Sequence, residues 1–272
     1  MATAETADAS AGAGRFGASG PGQAALELES VGLAYGGLVA LSGVDLSVQA
    51  GRITGLIGPN GAGKTSLFDV VTGLTRPSAG RVLLHGRDIT RSRPATRARL
   101  GLGRTFQRLE LFSSLTVLEN VAVAAEAADP ARLRPRRWRL LESDASAIVD
   151  QQLERVGLTA SASARVDTLS TGTARLVEVA RALAARPTVL LLDEPASGLD
   201  PTETDRLGAV LVSLAADGIA VLLVEHDVEL VMRISSEVVV LDRGAVLAAG
   251  SPAAVHQRRE VVEAYLGQLA VS

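Results

Sequence analysis

The sequence predicts an α/β fold in which a buried, mostly parallel sheet is preceded by antiparallel strands and interrupted by a helical insertion. Three observations carry this. The apolar runs at Ile53–Ile57, 189–192 and 219–224 are short and lack the polar alternation of a half-exposed strand, as expected of strands covered on both faces. Each is followed by a glycine-rich or acidic junction and then by apolar residues at helical spacing, the signature of strand-then-helix units. The chain's 272 residues are 47% hydrophobic and 21% charged, enough to bury a core in one large or two small domains.

Taken in order, residues 1–25 are rich in Ala, Gly and Ser, carry Glu5 and Asp8, and have no apolar centre, so they read as a disordered tail and not as a signal or targeting segment. Residues 26–35 and 41–48 alternate apolar and polar positions and read as antiparallel strands. Tyr35 falls on the turn before Gly36-Gly37, where its ring either stacks on a nucleobase or packs as a rim residue on the sheet.

After the strand Ile53–Ile57 comes Gly58-Pro59-Asn60-Gly61-Ala62-Gly63-Lys64-Thr65, the full spacing of a phosphate-binding loop, and residues 66–71 continue as a helix. The glycines permit close backbone approach, so that successive amides can point inward at a polyphosphate, and the helix start adds its dipole. Lys64 suits the β and γ phosphates, and the Thr65 hydroxyl, or that of Ser66, suits Mg2+. Lys64 is the only lysine among 27 basic residues. A compact ammonium fits inside a ring of amides where a planar guanidinium does not.

Residues 80–89 predict a strand pair, with His85 a satisfied or exposed strand residue, and the arginine-dense stretch 87–99 reads as a solvated loop and helix. Gly103-Arg104-Thr105-Phe106-Gln107-Arg108 reads as a polar strand end. Thr116 and Glu119 have the spacing of a capping box opening a helix. Arg132, Arg134, Arg136, Arg137 and Arg139 surround Trp138, a composition compatible with nucleic acid or lipid headgroups; the acids at Glu142 and Asp144 favour a solvated surface insertion. A helical region over 148–156 ends at Gly157.

Leu169-Ser170-Thr171-Gly172-Thr173 opens a helix whose buried stripe is Leu176, Val179, Ala180 and Leu183, placing Ser170 where a hydroxyl and free amides cap the helix or hold an anion. The strand 189–192 ends in Asp193 and Glu194, at the sheet edge where open α/β folds bind ligands. There Asp193 can reach Mg2+, directly or through water, and Glu194 can orient and deprotonate an attacking water. Asp200, Pro201 and Glu203 supply an N-cap, an N1 proline and an N3 acid for the next helix, lined by Leu207, Val210, Leu211 and Leu214. The strand 219–224 delivers Glu225-His226-Asp227 to the same edge. A hairpin turning at Arg243-Gly244 and a helix opened by Ser251-Pro252 finish the chain.

The order of the phosphate loop, Gln107, Leu169 to Thr173, Asp193-Glu194, Ser197 to Asp200 and His226 resembles the nucleotide-binding subunit of an ATP-binding cassette (ABC) transporter over about residues 26–268. The wording around Gln107 and Thr116 to Val121 is most similar to the branched-chain amino acid uptake subgroup. The resemblance implies a P-loop NTPase core (RecA-like) with an antiparallel β subdomain over 26–106 and 166–250, a helical subdomain over 107–165, and a C-terminal helix and tail over 251–272. It implies ATP and Mg2+ as cofactors, with Tyr35 on adenine, Gly58 to Ser66 on the phosphates, and Thr65, Gln107 and Asp193 at the metal. Glu194 would be the catalytic base, with His226 on the γ-phosphate and the attacking water. Ser170 and Gly172 would close on the γ-phosphate of an opposite subunit, and Ser197, Gly198, Leu199 and Asp200 would lie along the dimer interface. The implied partners are transmembrane permease subunits and a second ATP-binding subunit, identical or not, with room for an extracytoplasmic solute-binding protein; the implied place is the cytoplasmic face of the membrane.

Thr171 and Thr173 depart from the family's Leu-Ser-Gly-Gly-Gln, and a β-branched residue at 171 restricts the backbone. An exporter ATPase, or a soluble ABC ATPase outside transport, is the alternative. About sixty residues without sustained heptads separate Gln107 from the signature, against the long coiled coils of the DNA-associated kinds. A small-molecule kinase would leave Leu169 to Thr173 and His226 without a role. Net charge −3 gives no overall basic field for nucleic acid, the absence of cysteine fits a cytosolic protein, and no apolar run approaches the ~20 residues that span a bilayer.

Overall fold

In the computed structural model, residues 24–128, 142–261 and 263 are described. The alternating N-terminal segments form β1 (Ala24–Tyr35) and β2 (Leu38–Gln49), paired antiparallel across Gly36-Gly37. β1 starts two residues inside the stretch expected to be tail, because Ala25 is apolar enough to be buried against the sheet. Two further strands, β4 (Ala79–Leu84) and β5 (Arg87–Asp88), complete a four-stranded antiparallel sheet in the order β2-β1-β4-β5.

The second sheet contains β3 (Ile53–Ile57), β6 (Leu102–Arg104), β7 (Val189–Asp193), β8 (Ala220–Val224), β9 (Glu237–Asp242) and β10 (Ala245–Gly250), in the order β10-β9-β3-β8-β7-β6. All neighbours run parallel except the edge strand β10. Every residue of β3, β7 and β8 is buried, which is why those runs carry no polar alternation.

Alternate residues of the strands feed two separate cores. Val189, Leu191, Leu222, Val239 and Leu241 face α1 (Lys64–Thr72) and the antiparallel sheet, where Leu67, Phe68, Val70 and Val71 pack. Leu190, Leu192, Val221, Leu223, Val238 and Val240 face the other side, where α5 (Thr171–Ala184) and α6 (Pro201–Ala216) contribute Val177, Ala180, Leu183, Leu207, Leu211 and Leu214. This second core continues into α3 (Val117–Ala128) and α4 (Glu142–Arg155) through Val117, Val121, Ala125, Val149 and Leu153. The capping boxes predicted at Thr116/Glu119 and Asp200/Glu203 both form, with reciprocal bonds between side chain and N–H. The basic cluster from Arg132 to Arg139 lies outside the described residues, as do residues 1–23.

The stretch 87–99 is not simply solvated. Within it α2 (Pro94–Arg99) points Arg97 inward, 1% exposed. Its guanidinium donates to Val70 O and Val71 O at 2.6 Å each, to Thr90 O at 2.9 Å and to Ser92 O at 3.1 Å. Those first two carbonyls lie at the C-terminal end of α1, where Val70 O also accepts the Gly73 N–H, so a cation is bound where the helix dipole is negative. The guanidinium lies against Gly73, where an added Cβ would come within 2.7 Å of its Nε. Burial pushes its pKa down to about 10, against a pull from Asp88. The neighbouring arginines 93 and 99 are exposed, as expected of a solvated face.

Candidate nucleotide site

The loop after β3 is shaped by close packing. A Cβ on Gly58 would sit 2.1 Å from Leu241 O, and Gly63, the N-cap of α1, has φ 106° with Ala40 O 2.8 Å from where its Cβ would be. Only glycine lets the chain pass both points. Lys64 is 8% exposed and donates to Gly58 O at 2.6 Å and Pro59 O at 3.1 Å, so the loop curls around its own ammonium. Burial lowers the Lys64 pKa, opposed by the carboxylates of Glu194 and Asp193.

Above this loop three residues distant in sequence converge. Glu194 leaves β7 with φ 50°, an uncommon conformation for a residue with a side chain, held by its N–H to Val224 O at 2.9 Å. Gln107 Nε2 donates to Glu194 Oε2 at 2.9 Å, and His226 Nε2 lies 2.7 Å from Glu194 Oε1. A cavity of about 710 Å3 is lined by Asn60 to Ser66, by Gln107, Glu194 and His226, by Leu38 to Ala40, and by Tyr35 and Arg243 at its edge. Tyr35 is 50% exposed, so its ring is a rim face and not part of the core.

Asp193 lies behind Glu194, 5% exposed, with Oδ2 accepting from Arg104 at 3.2 Å. Burial raises its pKa while the Arg104 guanidinium pulls it down. The Thr65 hydroxyl, the Gln107 amide oxygen and the second Asp193 oxygen are hard donors of the kind Mg2+ takes. No group of three or more His, Cys, Asp or Glu side chains forms a metal cluster among the described residues, so a cation here would complete its shell with phosphate oxygens and water.

Ser170 and Gly172 do not line this cavity. Ser170 caps α5, with Oγ accepting from Thr173 N at 3.2 Å and donating to Glu203 Oε1 at 3.1 Å. The Glu203 carboxylate covers Gly172, where a Cβ would sit 2.2 Å from its carboxyl carbon. Ser197 to Asp200 form the tight turn that joins Glu194 to α6, with Ser197 N on Glu194 O and Leu199 N on Ala196 O. One chain therefore presents two polar faces: a phosphate loop with an acid above it, and a capped helix end apart from that cavity.

Known proteins match the chain over most of its length. Residues 41–197, more than half of the chain, match the ABC transporter family. The chain belongs to that family. It is 39% identical over 249 residues to the high-affinity branched-chain amino acid transport ATP-binding protein BraF of Pseudomonas aeruginosa, covering 89% of this chain and 98% of that one. It is 36% identical over 252 residues to the corresponding protein LivG of Escherichia coli, covering 90% and 99%. Among solved structures, it resembles a nucleotide-free ATP-binding cassette from an ABC transporter with TM-score 0.79 and 31% identity, covering 89% of this chain and 99% of that one. It resembles the ADP conformation of MJ1267, an ATP-binding cassette of an ABC transporter, with TM-score 0.80 and 32% identity, covering 90% and 99%.

Three residues of this ABC subunit escaped the sequence reading. Arg104, treated only as part of a polar strand end, is buried and bridges Asp69 on α1 at 2.7 Å to Asp193, with its guanidinium 4.8 Å from the Phe106 ring centre. Its strand is followed by polar residues, which hid the inward direction of the side chain. Glu225 accepts from Ala196 N at 2.6 Å and His226 N at 3.2 Å, joining the turn after Glu194 to the strand tip that carries His226. Arg243, placed in a hairpin turn, lines the cavity because Gly244 N donates to Ala62 O and draws that turn onto the phosphate loop. His85 is satisfied, with Nε2 2.7 Å from Thr188 Oγ1, as the sequence suggests.

Proposed function

We propose that this ABC subunit binds and hydrolyses ATP to power a separate membrane permease, in the uptake of branched-chain amino acids or similar small polar solutes. The observation that carries the reading is the Glu194 carboxylate held between Gln107 and His226 directly above the phosphate loop. Tyr35 stacks on adenine at the rim, and Lys64 with the amides of Gly58 to Ser66 binds the phosphates. Thr65, Gln107 and Asp193 would hold Mg2+, which would supply positive charge against the phosphates when bound. Glu194 takes the proton of the attacking water while His226 fixes that water and the γ-phosphate.

The second face completes the site in trans. Ser170 and Gly172 of one copy close on the γ-phosphate held by the other, with Ser197 to Asp200 along the seam. ATP thus joins two ATP-binding subunits, identical or not, and hydrolysis parts them. The helical segment 107–165 moves against the core of 26–106 and 166–250. Phe106, Leu109, Phe112 and Leu118, each at least 41% exposed, form an apolar surface beside Gln107 that suits the permease. No helix among the described residues is long and apolar enough to cross a membrane, which agrees with a permease carried on other chains at the cytoplasmic face. The names of BraF and LivG support the solute class and leave room for an extracytoplasmic solute-binding protein.

The test is Glu194→Gln. It should lower ATP turnover about a hundredfold or more and trap a dimer on gel filtration with ATP and Mg2+. A chain that stays monomeric under those conditions overturns the reading.

A further inference from the structure

Asp242 at the end of β9 pairs with Ala245 at the start of β10, so the turn between them consists of Arg243 and Gly244 alone. Both have positive φ, 45° and 80°. This is the geometry of a type I′ hairpin, whose favoured central pairs are Asn-Gly, Asp-Gly and Gly-Gly because those residues tolerate the left-handed region. Gly244 obeys that preference and has a second reason for it, since a Cβ there would lie 2.5 Å from Ala40 O. Arg243 does not obey it. Its long side chain gains nothing locally from the left-handed region and carries the strain, and strain of this kind persists where the side chain has work to do.

The turn is also held against the cavity from two directions. Ser42 N donates to Gly244 O and Gly244 N to Ala62 O, both at 2.8 Å, which clamps the hairpin tip between β2 and the phosphate loop. Arg243 thereby joins Ala40 and Ala62 on the cavity wall. It is exposed, and among the described residues no hydrogen bond or ion pair holds its guanidinium. Of the lining residues, Lys64 and Arg243 alone carry a permanent positive charge, and Lys64 is turned onto Gly58 O and Pro59 O inside the loop. Sheet order gives Arg243 its side of the site: β9 flanks β3 on one side, and β8 with β7 beyond it flanks the other. Arg243 and Glu194, each one residue past the C-terminal end of its strand, therefore bracket the phosphate loop from opposite sides.

We propose that Arg243 binds the α-phosphate of the nucleotide, the one next to the sugar. This rests on the reading of the cavity as an ATP site with adenine on Tyr35 and the γ-phosphate at Glu194. On that reading the α-phosphate lies toward Tyr35 and Ala40, on the Arg243 side of the loop and away from the carboxylate. A guanidinium fork takes two oxygens of one phosphate at once. It meets the same group in ATP and in ADP, so it holds the nucleotide through turnover without sensing whether the γ-phosphate is present.

The experiment uses the full chain and Arg243→Asn, which gives the turn its favoured Asn-Gly pair, so the melting temperature should hold or rise by up to about 3 °C. Displacement of a fluorescent ATP analogue, with Mg2+ withheld so that nothing is hydrolysed, gives the affinities. Those for ATP, ADP and AMP should each fall about tenfold, the worth of a charge-assisted contact. Arg243→Lys, which keeps the charge without the fork, should lose about threefold. 2′-Deoxy-ATP and 3′-deoxy-ATP should lose the same factor as ATP. Unchanged affinities in Arg243→Asn overturn the proposal, as does a loss accompanied by a lower melting temperature, which would mark a damaged turn. A loss confined to ATP would move the guanidinium to the γ-phosphate, and a loss in ATP and ADP that spares AMP would move it to the β-phosphate. A loss that disappears with either deoxynucleotide would move it to a ribose hydroxyl. Each of these overturns the α-phosphate assignment. If the unaltered chain binds none of the three nucleotides, the ATP reading falls and takes the proposal with it; if it binds them and Arg243→Asn binds them equally, the proposal falls alone.

Discussion

Replacing Arg97 by Met should unfold this chain far more readily than any change to its exposed arginine neighbours. Four carbonyls share the Arg97 guanidinium, and Val70 O alone keeps a second described donor, the Gly73 N–H at 3.2 Å. Leaving the other three short of a partner costs about 1 kcal/mol each at the low end for buried acceptors, so about 3 kcal/mol in all. Loss of the cation at the α1 C-terminus adds some tenths, and methionine's apolar fill recovers a similar amount. For a chain of this size, about 3 kcal/mol lowers the melting temperature by about 6–12 °C. Scanning calorimetry of Arg97→Met beside Arg99→Met measures it directly, the exposed control being expected within about 2 °C of the parent. Equal shifts in the two variants would refute the assignment of Arg97 as the cap of the phosphate-loop helix.

Three other outcomes follow from the site. Arg104→Met strands the Asp193 carboxylate against Glu194 and should destabilise by about 3 kcal/mol; adding Asp193→Asn should return part of that loss, and urea denaturation of the four-member cycle would show strict additivity if the pair were uncoupled. Burial raises Glu225 above its usual 4.5, so the folded chain holds that proton more tightly than the unfolded one; this contribution is present below 4.5 and lost as pH rises through the folded value. Glu225→Gln should therefore close its stability gap to the parent as pH rises above 4.5, and urea midpoints that stay parallel on raising the pH would contradict the assignment. In Gly172→Ala the new Cβ expels the Glu203 carboxylate, and the loss of about 1 kcal/mol at the α6 cap is offset by about the same gain from alanine in a helix. Its melting temperature should stay within about 2 °C while ATP-driven dimerisation on gel filtration weakens at least tenfold, and an unaltered dimer would remove Gly172 from the contact.

Much of this was legible because the chemistry falls where backbone geometry has sharp requirements. Glycines at fixed spacing, one lysine in an arginine chain, acids at a strand tip and serine at a helix start each announce a local conformation. Glu194 and His226 could be placed at one edge because both follow apolar runs whose ends are unambiguous, whereas Tyr35 and Gln107 joined them only through the family resemblance. Arg97, Arg104 and Arg175 were not legible in this way. A buried arginine leaves the same letter as an exposed one, and what decides its direction is the supply of carbonyls and carboxylates on elements distant in sequence: Val70 and Val71 for Arg97, Asp69 and Asp193 for Arg104, Phe106 and Gln107 for Arg175. Glu203 was read as a helix-start acid, and it is one, but its second contact with Ser170 depends on α5 and α6 meeting end to end.

The sorting of β7 into two cores also decides which of its terminal acids does what. Val189 and Leu191 point to the α1 side and Leu190 and Leu192 away from it, and Asp193 continues the odd set toward Arg104 and Asp69. Deleting one residue anywhere from 189 to 192 would exchange odd for even, hand each core the other's side chains, and present Glu194 in place of Asp193 to the arginine. The division of labour between two adjacent carboxylates is thus written four residues upstream, in a row of leucines and valines that never meets the nucleotide.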